Sequence, residues 1–463
     1  MLLDLIRDSF VGQLIYYSSG RRILRHPEDK PTFSLPARYS TSQRDLGVPS
    51  ETATLTDQRK QSRAITNERG EGIPEEEIIR SSQDVEKADT NKVKDPVHDT
   101  NLVTWYGPDD PDYPQNWSLL KRCFVTFDIC VLTFSIYIGS SIYAPGIGDL
   151  SSEFGVSSTA ATLGLTMFIV GYGVGPMFLA PLSEVPQLGR TTVYIVFLLI
   201  FVVIQVPTAL CKNLGALLPL RFIAGFVGSP ALATGAASLL DMWPPEDWPV
   251  VVGLWSVAGT CGPVLGPLIG GFAAEAKGWN WTIWILLWLA GCSLAFLSIF
   301  LPETSGQAIL YRRAVRLRRI TGNHNLRSQS ELDSQHLSIP ELAKTTLVRP
   351  FVLALREPIV ACWNAYVALI YGILYIFIES FGVVFVENHG FDLGQNGLAF
   401  IGLLCGSLVA YLGLLPYGLL VLKPMFKENR FVPEARLPIA MVGAVLLPVS
   451  AFREWFVNNT NVE

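Results

Sequence analysis

Three ionisable side chains stand inside long apolar stretches, where a charge is costly and is by default functional. Asp128 lies about seven residues past Lys121, and Arg221 about seven residues into a later stretch, so each is roughly 10 Å deep, from opposite sides. An acid at such a depth is a candidate proton carrier, neutral when it faces one side and ionised when it faces the other; the alternative is an acid hydrogen-bonded to a neighbouring helix. An arginine does not release its proton at ordinary pH. It can hold a nearby acid ionised or bind water, or it can simply cap helix carbonyls or snorkel outward. The different depths argue against a direct Asp128–Arg221 pair. Glu379 follows Tyr375 and Phe377, a setting that suits a cationic or flat apolar guest, and equally an acid that meets water at the membrane edge.

Other chemistries find no residues to carry them. The seven cysteines scatter through the apolar blocks without a CxxC, and the five histidines form no HExxH. A GxxxxGK[ST] phosphate loop is absent, which argues against an ATP-driven pump. No enzyme activity, cofactor, metal site, nucleic-acid partner or ATP use is expected.

The elements that must hold these groups are long helices. Half of the 463 residues are hydrophobic, concentrated after a polar first hundred in blocks of about twenty residues, the length that crosses a bilayer. The expected spans are 123–143, 159–181, 192–211, 214–238, 250–272, 282–301, 358–386, 394–420 and 437–452. Within the fifth, Gly262, Gly266 and Gly270 recur every fourth residue and form a groove on one face. Pro263 and Pro267 should loosen the same helix, as a moving seam between two bundles would require. A tightly packed membrane helix accounts for the glycine spacing as well.

Lysine and arginine fix the expected orientation. The 302–357 segment holds nine such residues, from Arg312 to Arg356, whereas the loops at 144–158 and 387–393 have none. Basic segments on the cytoplasmic side place the N-terminus there too. Residues 1–120 are expected to be a disordered arm with an amphipathic helix within 1–25, residues 121–302 a six-helix bundle, 303–357 a basic loop, and 358–463 a partial second bundle.

Several stretches in order carry a resemblance. These are WYGPDDPDYPQNWSLLKR (105–122), APLSEVPQLGR (180–190), LRFIAGFVGS (220–229), the Gly259–Gly271 stretch, LPET (301–304), IESFGVVFVENHGF (378–391) and LGQNGLAF (393–400). Together they resemble the major facilitator superfamily, in its fungal drug:proton antiporter branch with twelve spans. The resemblance implies an all-α membrane protein of the major facilitator fold, with a complete six-helix N-terminal bundle and an incomplete C-terminal one, about nine spans in all. It further implies proton-coupled efflux of small amphipathic drugs across the plasma membrane, by two bundles rocking about a midplane cavity. Its partners would be a small-molecule substrate, protons and the lipid bilayer.

Residue by residue, the resemblance gives Arg221 a part in proton coupling, with Asp128 and Glu379 as candidate acids. It makes Gly259, Gly262, Pro263, Gly266, Pro267, Gly270 and Gly271 an antiporter motif, facing span eight with its own Gly402 and Gly406. It makes Glu184, Gly189 and Arg190 a cytoplasmic gate, with Glu184 standing where the family pattern has its aspartate. Tyr137, Tyr172 and Tyr371 are the expected cavity aromatics, and Asp241 is expected to be a solvated helix-end charge. Spans ten to twelve of the family are not in this sequence, so the chain is expected to insert through its first six spans yet transport poorly. Export of a specialised metabolite or polyamine, and a non-transporting truncated protein, are the alternatives.

Overall fold

The computed structural model describes residues 2–30, 33–36, 39, 101–334, 348, 352, 355–428 and 430–446. Among these, eight helices are long and apolar enough to cross a membrane. Spans one to six are Leu119–Phe154, Ser158–Glu184, Gly189–Ala209, Leu214–Met242, Trp248–Lys277 and Asn280–Phe300, and spans seven and eight are Pro358–Val386 and Leu393–Lys427. The expected eighth boundary falls a turn or more short of the structure's, because π-helical winding carries span eight through Leu422. Of the expected ninth span, residues 437–446 are helical and the remainder lies outside the described residues.

Small residues decide which helices touch. A Cβ on Gly171 would stand 2.9 Å from the Phe226 amide nitrogen, and one on Gly225 would stand 3.0 Å from that of Tyr172, so spans two and four pack backbone against backbone. Span one breaks after Tyr137 into a 3₁₀ turn, Ile138–Ser140, and runs on through a short helix, Ile147–Phe154. Spans seven and eight bury 6 % of their apolar windows, against 28–67 % in the first six, so the core belongs to the six-helix bundle. Span eight runs antiparallel along span five. Gly271 meets Leu393 and Gly394 at one end, and at the other Lys423 Nζ lies 2.6 Å from Asp247 Oδ1.

The first 120 residues were expected to be a disordered arm, and both ends of that segment are instead folded. Helices α1 (Leu2–Asp8) and α2 (Phe10–Ser18) lie against span six, with Leu5 and Tyr16 buried. Strand β1 (Leu102–Val103) pairs in parallel with β2 (Arg327–Ser328), which follows helix α3 (Gly306–Thr321). The segment between the bundles is thus helical in its first part rather than a loop.

Charge explains both departures. Arg313 of α3 is buried among Asp110 (Nη1–Oδ2 2.6 Å), Asp112 (Nη2–Oδ2 2.7 Å) and Glu28 (Nε–Oε1 3.4 Å). Burial alone would raise the Asp110 carboxyl, but Arg313 and the Tyr106 and Asp112 amides hold it below its usual range. Residues far apart in sequence therefore close one cap over what we term the linker end of the bundle. Residues 40–100 of the expected arm lie outside the described residues.

Candidate functional site

A cavity of about 160 Å³ opens where spans one, four, five, seven and eight converge. Span one supplies Thr133 and Tyr137, span five Trp255, Gly259 and Pro263, and span seven Tyr371. Trp255 Nε1 donates to Thr133 Oγ1 at 2.8 Å, and Thr133 in turn donates to the Ile129 carbonyl, so the indole is held against the wall. None of the described lining residues carries a charge. The surface is aromatic and hydroxylic, fit for a flat apolar guest with a few hydrogen-bonding groups. Of the three expected aromatics, Tyr137 and Tyr371 line this space. Tyr172 stands one layer behind, its ring edge-on to Tyr137 at 5.1 Å.

The glycine stripe of span five packs against a different neighbour from the one expected. A Cβ on Gly262 would stand 2.6 Å from Tyr137 Cβ, and one on Gly266 2.9 Å from the Ile142 nitrogen; Gly270 faces the Ile142 carbonyl still more closely. The stripe therefore seats span one, within the same bundle. Span eight is reached through Gly271, and through Pro267 and Leu268 against Gly397. A Cβ on Gly402 or on Gly406 would meet nothing within 4 Å, so the two glycine grooves do not meet. The reason is rotational: successive positions on a helix differ by about 100°, and the stripe faces inward on span one while Gly271 faces the second bundle. Gly259 is open, its nearest neighbour being Thr133 Cγ2 at 3.9 Å.

The three candidate proton-coupling residues are not brought together. Arg221 is fully buried; its Nε donates to the Gly164 carbonyl at 3.2 Å and its Nη2 to the Gly139 carbonyl at 2.9 Å. The guanidinium lies over the rings of Tyr143 and Phe168, at 4.9 and 4.7 Å from their centroids. The 3₁₀ break in span one frees the Gly139 carbonyl from its helix, and Arg221 takes it up. Arg221 therefore braces spans one, two and four together. Asp128 is also fully buried, on the face of span one that continues to Leu132 and Ile136, and neither carboxyl oxygen has a hydrogen-bond partner among the described residues. Glu379 is exposed near the far end of span seven, outside the cavity.

At the linker end, Glu184, Arg190 and Asp241 border a polar hollow of about 450 Å³. Arg190 Nη1 pairs with Asp241 Oδ2 at 2.7 Å, so Asp241 is a partner rather than the solvated end charge expected. Gly189 takes a φ of +73°, the left-handed region where a side chain is strained. That turn aims the Arg190 amide at Glu303 Oε1, 3.0 Å away. Glu303 also accepts from the Ser305 amide and pairs with Arg312. Glu303 and Arg312 were missed as site residues. The signal was present in the acid of LPET, which has helix N-termini on both sides to receive it.

Comparison with known proteins agrees with this architecture. Residues 129–460 match the Major Facilitator Superfamily. The chain is 44 % identical over 357 residues to "Transporter mfs1" of Schizosaccharomyces pombe, covering 77 % of this chain and 67 % of that one. It is 36 % identical over 454 residues to "Cycloheximide resistance protein" of Candida maltosa, covering 96 % and 78 %. It is 40 % identical over 358 residues to "Fluconazole resistance protein 1" of Saccharomyces cerevisiae, covering 77 % of this chain and 65 % of the relative. With a match that spans most of the chain and a helical fold of membrane-crossing length, the chain belongs to the Major Facilitator Superfamily of membrane transporters.

Proposed function

We propose that this protein exports small amphipathic drugs or xenobiotics across the plasma membrane in exchange for protons, with its N-terminus and linker end in the cytoplasm. The observation that carries the reading is the uncharged aromatic cavity between Tyr137, Trp255 and Tyr371, which three helices of one bundle and two of the other enclose. Relatives named for resistance to cycloheximide and to fluconazole support the substrate class. The nine basic residues of the linker support the orientation.

In this reading Asp128 is the group that takes and gives the proton. An ionised carboxylate buried without a partner costs several kcal/mol or more, on the order of a broken buried ion pair. The packing around span one therefore accommodates the neutral acid. A conformation that lets water reach span one would favour release, and this links proton transfer to rocking of the bundle. Arg221 acts by position: it ties the break in span one to spans two and four, so a tilt of span four moves the helix that carries Asp128. Arg190, Asp241 and Glu303 hold the linker end of spans three, four and six as one gate, and Glu184 faces the adjoining hollow.

The test is export from yeast that lack their own pumps and express this chain, with the surface amount measured. Cycloheximide and fluconazole resistance that a protonophore abolishes, and that Asp128→Asn and Tyr137→Ala each lower at equal surface expression, is the expected result. Absence of any protonophore-sensitive export at normal surface expression would refute the proposal.

A further inference from the structure

The N-terminal helix pair presents a face that neither the core nor the cap uses. Helix α2 contains no charged residue, and its sequence FVGQLIYYS is apolar on most sides. At about 100° per residue, Gly12 and Tyr16 fall on one side, where Gly12 packs on Ile6 and Arg7 of α1 and Tyr16 donates to Asp29 of the cap. Leu14, Ile15 and Tyr17 are exposed on the other, and Phe10 is partly buried against the core. Leu14 is 55 % exposed and Tyr17 56 %. Leu3 of α1 is exposed as well. A helix surrounded by water on that side would hold an apolar patch of a kind soluble surfaces avoid.

Its level in the molecule is fixed by contacts. Ser9 bridges Pro302, and the Glu303 amide donates to the Asp8 carbonyl at 3.3 Å, so the pair lies where span six ends at Phe300. Leu119 and Leu120, the first residues of span one, are exposed at the same end of the bundle. The apolar face thus lies at the level of the exposed first residues of span one. Directly after α2 the chain reads Gly20-Arg21-Arg22-Ile23-Leu24-Arg25, with Arg22, Ile23 and Arg25 exposed, so apolar and cationic side chains alternate at one edge.

We infer that α1, α2 and the Arg21–Arg25 segment form an in-plane anchor in the bilayer, with Leu14, Ile15 and Tyr17 in the headgroup boundary and Arg22 and Arg25 on anionic phospholipid headgroups. The leaflet is the cytoplasmic one by the orientation proposed above; the anchor itself follows from geometry alone. An interfacial helix has an apolar face a few ångströms below the headgroups and cations level with the phosphates, and this segment provides both.

The experiment uses the full chain in lipid nanodiscs. In a variant whose seven cysteines are replaced by serine, Leu14→Cys is labelled with an environment-sensitive fluorophore. Strong quenching by lipids doxyl-labelled near the headgroup, with little quenching by aqueous iodide, is the expected result. Quenching by iodide places the face in water, and quenching by neither shows that another part of the chain covers it; either overturns the inference. The unaltered chain gives a second measurement that does not depend on the cysteine replacements. Trypsin cleavage after Arg22 and Arg25 should slow several-fold when phosphatidylserine is added to phosphatidylcholine nanodiscs, relative to a soluble control protein. Equal cleavage in the two lipids overturns the headgroup contact.

Discussion

Replacing Gly266 by alanine tests how span five is seated, because two opposing effects can be weighed in advance. A Cβ there would stand 2.9 Å from the Ile142 nitrogen and 3.2 Å from the Ile138 carbonyl oxygen, and closer still to Ser141 Oγ. The Ser141 hydroxyl can rotate, but the two backbone atoms cannot, so spans one and five must separate by several tenths of an ångström. Overpacking of this kind costs about 1–3 kcal/mol. Against it, alanine in place of glycine inside a helix gains up to ~1 kcal/mol of intrinsic preference. The net at mid-range is a destabilisation of about 1 kcal/mol, or about 2–4 °C in melting temperature for a unit the size of the six-helix bundle. At Gly402, with nothing within 4 Å, only the gain remains and the sign reverses. The assay is thermal unfolding in detergent, followed by tryptophan fluorescence, with drug export measured beside it. A Gly266→Ala melting temperature equal to or above that of the unaltered chain, with Gly402→Ala below it, would refute the packing argument.

Other perturbations follow from the same geometry. Arg221→Lys keeps the charge but cannot span the Gly139 and Gly164 carbonyls together; one buried acceptor is left bare at a cost of about 1–3 kcal/mol, read as a lower melting temperature and reduced export. Arg313→Met leaves Asp110 buried without its cation, while Glu28 keeps Arg316; the loss is about 3–5 kcal/mol and should make residues 101–118 susceptible to protease while the spans stay folded. Burial, with Arg316 and Arg7 nearby, pushes the His26 imidazole down to about 2 from an ordinary 6.5, although Asp8 at 3.9 Å favours its charged form and Asp112 also faces it. The folded-state value lies below the unfolded one, so His26 supports the cap fully above pH 6.5 and progressively less as pH falls below it. Melting temperatures of the chain and of His26→Gln should therefore converge as pH drops from above 6.5 to about 5.

How far the sequence reached depends on the kind of interaction. Span positions were legible because a bilayer imposes a length and a composition that neighbours do not alter; the expected seventh span, 358–386, coincides with the structure's Pro358–Val386. The Gly262, Gly266 and Gly270 stripe was legible as a place of close approach. Which helix approaches it was not, because every helix of the bundle offers apolar surface and only the three-dimensional arrangement selects span one. Arg221 was legible as a buried cation, and its partners were not: main-chain carbonyls carry no residue signature, and the one at Gly139 becomes free only where span one breaks.

The folded ends of the arm mark the same boundary. Asp110, Asp112 and Glu28 read as polar residues of a flexible segment until Arg313, hundreds of residues later, closes on them. Hydropathy and spacing, which are local, determined by themselves that this chain crosses a membrane repeatedly and where its costly charges lie. Tertiary structure alone decided that Arg190 pairs with Asp241, that Arg221 braces span one, and that Tyr137, Trp255 and Tyr371 enclose a single cavity, because those pairings bring together groups whose separation in sequence says nothing about their distance in space.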